Sequence, residues 1–247
     1  HSGDDINKKR ANAIKIMARF LYMEQSKMEL RLAQWNSGKM HNAIPRDGKV
    51  VFAVPADRKE EVMADWNVFT AGVEDEFHVT DPTMHWGMES VDRQQVMPQQ
   101  ISCGLILSLQ ALDNGPLTTC QDEALAYMVE TSSNVASVQS EANKVVIVAS
   151  QRSNVMSNLT NMANTVKAVF ELSGAKVVQN DGYPAWKMNP NSNLVKITVD
   201  AYKKLFKKEP TVKGIHAGLE CGLFSEKYPE LDMVSFGPTL RNVHTPD

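Results

Sequence analysis

His244 is the residue whose surroundings best suit metal chemistry. It lies two positions before Pro246, in a polar segment that follows an apolar run from Leu231 to Phe236. An imidazole nitrogen is a borderline-soft donor that favours zinc. A histidine in such a loop can equally be an ordinary surface residue, so the pattern alone leaves both interpretations of His244 open.

Three other polar residues lie where they could bind a substrate. Arg152 ends the most strongly β-branched segment of the chain, and its planar guanidinium can bind a carboxylate through two parallel hydrogen bonds. His1 precedes a predicted helix start, where it could face an anion or a developing oxyanion. Asn42 lies in a predicted loop between two strands, where it could bind a peptide or cap its own turn. Arg152 and His1 also have plainer interpretations, as a solvated strand end and as a residue without a role.

A glycine-bounded segment, residues 214–224, is predicted to form a loop that presents polar groups. Within it, Glu220 is either a turn former or a site carboxylate. No combination of nucleophile, base and orienting group is visible in the sequence, and neither is a glycine-rich phosphate loop. A two-zinc site needs several ligands and a bridging carboxylate, whereas His244 alone is a candidate here. These residues cannot complete a chemical step by themselves.

Composition excludes several classes of function. The 247 residues are 43% hydrophobic, which is enough for a real core, and their net charge of −3 offers no field that would hold nucleic acid. No apolar run approaches the roughly 20 residues that span a bilayer. Cys103, Cys120 and Cys221 are scattered, which argues against a disulfide framework and a cysteine zinc site and fits a reducing cytoplasm.

Hydrophobic periodicity predicts an alternation of helices and strands. Helices are expected from near Ile6 and over residues 57–77, 98–113, 154–173 and 193–207. Strands are expected over residues 28–35, 50–54, 84–91 and 175–179, with two more around residues 133–150.

This order favours the α+β class, with helices on one face of an antiparallel sheet built from two ferredoxin-like β-α-β-β-α-β units. Turn residues become more frequent after residue 210, so a domain boundary is expected there. The chain starts without a methionine and stops directly after the His244 loop, so it is expected to be an internal piece of a longer protein.

Six motifs occur in order along the chain: His-Ser-Gly-Asp-Asp-Ile, Asn-Ala-Ile-Pro-Arg, Val-Ala-Ser-Gln-Arg-Ser, Gly-Tyr-Pro-x-Trp-Lys, Ile-His-Ala-Gly-Leu-Glu-Cys-Gly and Val-His-Thr-Pro-Asp. This series resembles the aminoacyl-histidine dipeptidases, which belong with the carnosinases and aminoacylases among the dizinc metallopeptidases. The resemblance extends over essentially the whole chain. One departure is Ala185, where the family pattern has glycine, and it weakens what can be expected of that loop's geometry.

The resemblance implies a layout and a function. Residues 1–210 would be a lid that mediates homodimerisation, and residues 211–247 would be part of an α/β catalytic domain. The parent enzyme would be a cytoplasmic, zinc-dependent hydrolase of Xaa-His dipeptides, with no nucleic-acid or membrane partner. The alternative is a non-catalytic dimerisation or interaction module that retains the lid fold. The presence or absence of His-x-Asp and Glu-Glu motifs upstream would separate the two.

The resemblance also implies roles for individual residues. His1 would reach the active site of the partner subunit and stabilise the tetrahedral oxyanion. Asn42 and Arg152 would hold the substrate, and Arg152 would grip its carboxylate. Residues His216 and Glu220 would lie beside the metals, and His244 would be the last zinc ligand. The remaining zinc ligands and the general base lie N-terminal to this segment in the family.

Overall fold

The computed structural model describes residues 1–216 and 219–238, which form five β-strands and six α-helices. The strands are β1 (Arg31–Ser37), β2 (Gly48–Ala53), β3 (Gly115–Thr119), β4 (Val129–Ser140) and β5 (Val145–Ser153). The helices are α1 (Ala13–Gln25), α2 (Lys59–Phe77), α3 (Gln99–Ala111), α4 (Met156–Leu172), α5 (Asn193–Phe206) and α6 (Glu220–Lys227). None of these helices is long and apolar enough to cross a membrane.

The long strand β4 organises the sheet. It pairs with β5 from Thr131 to Ser140, with β3 near its start and with β1 near its end, and every pairing is antiparallel. Because a strand has only two edges, β5 occupies one edge of β4 while β3 and β1 share the other. Strand β2 pairs outside β1. The predicted antiparallel α+β class is therefore confirmed.

The main core lies between one face of this sheet and three helices. Apolar side chains from α1, α3 and α4 pack there against inward-facing residues of β1 and β4. Trp35 and Val135 are fully buried at the centre of the sheet, and Ile14 and Ile106 cover them from the helices. Burying such side chains is the main favourable term in forming this layer. The helix-covered face leaves the opposite face of β4 for polar groups.

The expected strand over residues 84–91 is wrong, because no regular secondary structure forms there. One of its apolar residues, Trp86, packs onto α2 instead of joining the sheet. The Trp86 ring lies edge-on to Trp66, with centroids 6.0 Å apart, and the Trp86 indole Nε1 donates a hydrogen bond to Glu74 at 2.8 Å. The period-two alternation of this segment therefore indicates that one of its sides is buried, but it does not show that the segment pairs with a strand.

The expected strand over residues 175–179 is also wrong. The backbone N–H of Ala175 donates to the carbonyl of Phe170 and closes the end of α4, and Val178 is exposed. Without this strand and residues 84–91, the described residues form a single five-stranded antiparallel sheet. Conversely, strand β3 forms at Gly115–Thr119, where no strand was expected, and the register shift after Pro116 is compatible with proline in this strand.

Asn12 joins α1 to the sheet, and its loss should destabilise the fold. Its side-chain oxygen accepts from the N–H groups of Ile14 and Lys15, while its amide nitrogen donates to Asn114 and to the carbonyl of Val135. Asn12→Ala removes a helix cap and leaves buried groups unpaired, so the free energy of unfolding should fall by about 2–3 kcal/mol. Urea denaturation measures this loss. The exposed Asn67→Ala is the control, and an equal effect of both substitutions would contradict the role of Asn12.

Candidate functional site

The pairing of β4 with β5 collects polar side chains on the sheet face opposite the helices. Ser132 lies directly across from Arg152, and Asn134 lies across from Ser150. Residues two apart on a strand share a face, so Ser132, Asn134 and Arg152 project to the same side. Ser132 and Asn134 are each at most 2% exposed. Buried polar side chains of this kind require partners, which identifies this face as the candidate site.

His216 packs over this face from a distant part of the chain. Its Nε2 lies 2.9 Å from the hydroxyl of Ser132, and the residue is buried. Burial, and then the nearby positive charge of Arg152, lower the pKa of His216 to about 4, while Asp4 acts in the opposite direction. His216 is therefore a neutral imidazole at physiological pH, able to donate one hydrogen bond and to accept another.

Arg152 is a half-buried charge without an ion-pair partner among the described residues. Burial lowers its pKa, and the carboxylate of Asp4 opposes that effect from some distance. The Nε atom is buried and has no hydrogen-bond partner in the described part of the chain. A guanidinium in this state has donor groups left for an anion, and a carboxylate is the geometry that it fits best.

The chain's first residues and the loop after β1 close one side of the site. The N–H of Ser2 donates to the carbonyl of Asn42 at 2.8 Å, and the side-chain amide of Asn134 donates to the carbonyl of Ala43 at 2.8 Å. The N–H of Gly3 donates to Nδ1 of His1 at 3.1 Å. Four residues selected from the sequence, namely His1, Asn42, Arg152 and His216, are thus linked to one region through these contacts.

Two other predicted site residues are placed differently. Glu220 is exposed and is the first residue of α6, so the expected turn at this position is wrong: the segment from 220 to 227 is helical. A carboxylate in a first helical turn is stabilised by the positive end of the helix dipole, and the role of Glu220 beside the metals stays a prediction. His244 lies outside the described residues.

The structure adds Ser132 and Asn134, which sequence reasoning missed. Both belong to an unbroken run of five buried polar residues from Glu130 to Asn134. Such a run in a well-paired strand is unusual, since strands favour β-branched and aromatic residues. The run itself was the available signal, but its meaning depends on knowing that β4 is central.

The described residues do not hold a metal by themselves. They contain no group of three or more His, Cys, Asp or Glu side chains that could bind one. His216 in addition lies beside the positive charge of Arg152, which disfavours a dication at that point. The guanidinium of Arg152 and the buried hydroxyl and amide groups of this face are suited to hydrogen bonding and to an anion.

Two known proteins are similar to this chain along its whole length. The chain is 34% identical to the cytosol non-specific dipeptidase of Escherichia coli K12, in an alignment that covers the whole chain and 51% of that relative. It also superimposes on a crystal structure of aminoacylhistidine dipeptidase from Vibrio alginolyticus, with a TM-score of 0.87 and 35% identity. The chain is homologous to dipeptidases.

This homology confirms the resemblance that the sequence motifs indicated. Both matches span the whole chain, and the chain spans about half the length of these two dipeptidases. No family model matches.

The titration of His216 can test the geometry of this site. Its folded pKa of about 4 lies below the ordinary 6.5, so the unfolded chain takes up the proton first as the pH falls. The associated stability is fully present above pH 6.5 and is lost as the pH falls toward 4. NMR of the His216 ring should follow this titration, and Arg152→Gln should raise the pKa because a positive charge is removed. The exposed Arg93→Gln should leave it unchanged, and an unchanged value in Arg152→Gln would contradict the proximity of the two groups.

Proposed function

We propose that this chain forms the lid and part of the catalytic domain of a zinc-dependent, cytoplasmic dipeptidase that hydrolyses Xaa-His dipeptides. In this proposal residues 1–210 are the lid and the dimerisation domain, and residues 211–247 belong to the catalytic domain. Homology to two dipeptidases along the whole chain supports the reaction class. The more specific parts, including the substrate preference and zinc, rest on the family resemblance of the motifs.

The observation that carries the proposal is the state of Arg152. This guanidinium is half-buried, has a buried Nε without a hydrogen-bond partner among the described residues, and lies near the neutral imidazole of His216, while Asp4 acts on it without forming an ion pair. A dipeptide brings a free C-terminal carboxylate, which would pair with both parallel N–H groups of the fork. Arg152 is accordingly the proposed anchor for the substrate's C-terminus.

The orientation of His1 supports a role on the substrate's carbonyl group. Because Nδ1 of His1 accepts a hydrogen bond from the N–H of Gly3, the neutral ring carries its proton on Nε2. An Nε2–H donor suits stabilisation of an oxyanion, which needs a preorganised hydrogen bond where negative charge develops. In the proposal this donor serves the active site of the partner subunit.

A homodimer is consistent with the open edges of the sheet. Within the described residues, β2 pairs only with β1, and β5 pairs only with β4. Each of these strands therefore presents unpaired backbone groups along its outer edge, which another strand or chain could cover.

Most zinc ligands and the general base would lie outside this segment, and His244 would be the ligand that this segment contributes. No step through zinc is derived from the described residues.

The isolated 247-residue chain should not hydrolyse dipeptides. It should gain activity when the complementary half of a homologous dipeptidase is supplied, because the base and most metal ligands belong to that half. The test measures the release of histidine from an Xaa-His dipeptide by the isolated chain and by the chain mixed with the complementary half. The zinc content of both preparations is measured as well. Hydrolysis by the isolated, zinc-loaded chain would overturn the proposed division of the site.

A further inference from the structure

A buried hydrogen-bond acceptor lies beside Arg152 on the same face of the sheet. Asn134 is 2% exposed, and its side-chain nitrogen is committed to the carbonyl of Ala43. Its side-chain oxygen must therefore point away from Ala43. That oxygen is buried and has no hydrogen-bond partner in the part of the chain that the structure describes. Leaving a buried acceptor unpaired is costly, so this atom is suited to a donor that the chain does not supply.

The strand register places this acceptor close to the guanidinium. Asn134 is opposite Ser150, so Arg152 is its diagonal neighbour across the β4–β5 pair. Diagonal neighbours are separated by about 7–8 Å, and a long side chain spans that interval. An acceptor and a cationic fork are thus available to a single small ligand.

We propose that Asn134 is a ligand-binding residue that accepts an N–H group adjacent to the carboxylate that Arg152 binds. The recognised unit is an N-acylated α-amino acid, in which the amide N–H is separated from the carboxylate by one carbon. The C-terminal half of a dipeptide has this structure, so the inference rests on the proposed function and adds a second contact to it. Asn134 then discriminates between a peptide link and an ester link at the same position.

Two nearly isosteric ligands isolate this contact. N-acetylglycine carries the N–H group, whereas acetoxyacetate has an ester oxygen in its place. The 247-residue chain should bind acetoxyacetate roughly tenfold more weakly, because one hydrogen bond is lost and two acceptors then face each other. Titration followed by NMR of the Arg152 and Asn134 side chains measures both dissociation constants.

Variants identify the residue responsible. Asn134→Ala should remove most of the preference for N-acetylglycine while leaving the affinity for acetoxyacetate nearly unchanged, and the exposed Asn67→Ala should retain the preference. Equal binding of both ligands by the unmodified chain overturns the inference whether or not Asn134→Ala folds. If equal binding still depends on Arg152, the proposed carboxylate anchor survives. If neither ligand binds, both proposals fail.

Discussion

Replacing Arg152 by alanine is expected to lower the kcat/KM of the proposed parent dipeptidase by roughly 10- to 150-fold. The loss corresponds to about 1.5–3 kcal/mol, the usual contribution of a hydrogen bond to a charged group. The fork is half-buried and has no ion-pair partner in the described residues, so the substrate's carboxylate would meet it without displacing a competing carboxylate. Steady-state kinetics on an Xaa-His dipeptide measure the effect.

The substrate provides the matched control for Arg152. A dipeptide amidated at its C-terminus lacks the carboxylate, so the unmodified enzyme and Arg152→Ala should hydrolyse it at similar rates. On the dipeptide with a free C-terminus, the kcat/KM of Arg152→Lys should lie between those of the unmodified enzyme and Arg152→Ala, because lysine keeps the charge and loses the planar fork. Unchanged kinetics of Arg152→Ala on the free dipeptide would contradict the proposed role and would favour the alternative interpretation of Arg152 as a solvated residue at a strand end.

His1→Ala should lower kcat by about two orders of magnitude, as removal of an oxyanion donor commonly does. In a neutral ring, the contact from Gly3 to Nδ1 leaves the proton on Nε2, and a donor at that position suits the developing charge. Bound zinc should be almost unaffected, because His1 is not proposed as a ligand. Turnover and metal content measured on the same preparation separate the two effects.

Mixing two impaired variants tests whether His1 acts in the partner subunit. A heterodimer of His1→Ala with His244→Ala would contain one site with both an intact ligand set and an intact donor. Partial recovery of activity is therefore expected when the two variants of the proposed parent enzyme are mixed. A strict monomer by sedimentation, together with no recovery, would contradict the trans arrangement.

Local periodicity predicted the helices well. Helices α1, α2, α4 and α5 all lie within segments whose apolar residues recur at helical spacing. The expected start near Ile6 was too early, because Asn12 caps α1 with its side chain and only a short 3₁₀ turn precedes it. Such boundaries depend on which residue captures the free N–H groups, and several polar residues before Ala13 could have done so.

Strand predictions failed where the partner decided the outcome. Residues 84–91 have the alternation of a strand, but α2 covers their apolar side, as the contact between Trp86 and Trp66 shows. Strand β3 has a weak pattern of its own, yet it forms because β4 offers an open edge from Val129 to Ser133. A sheet position is a property of two segments, so one segment's pattern cannot specify it.

The candidate site was predictable residue by residue but not as a whole. Arg152 was recognised from its strand-end position and its motif, but its half-burial and the unpartnered Nε among the described residues could be seen only in the folded structure. The contact between Ser132 and His216 joins segments that are distant in sequence. Residue type and spacing do not predict such a contact, and Asn134 was missed for the same reason.

The position of β4 also determines the order in which the sheet can assemble. β1 with β2, and β4 with β5, are neighbours along the chain and can form hairpins by local collision. The junction between them pairs Asn36 with Gln139, and closing a loop of about 100 residues carries a larger entropic cost. Folding of this segment should therefore be limited by the docking of two preformed hairpins. The loop at Asn42 follows β1 of the first hairpin, whereas Arg152 lies on β5 of the second hairpin. The candidate site therefore cannot form before the two hairpins dock.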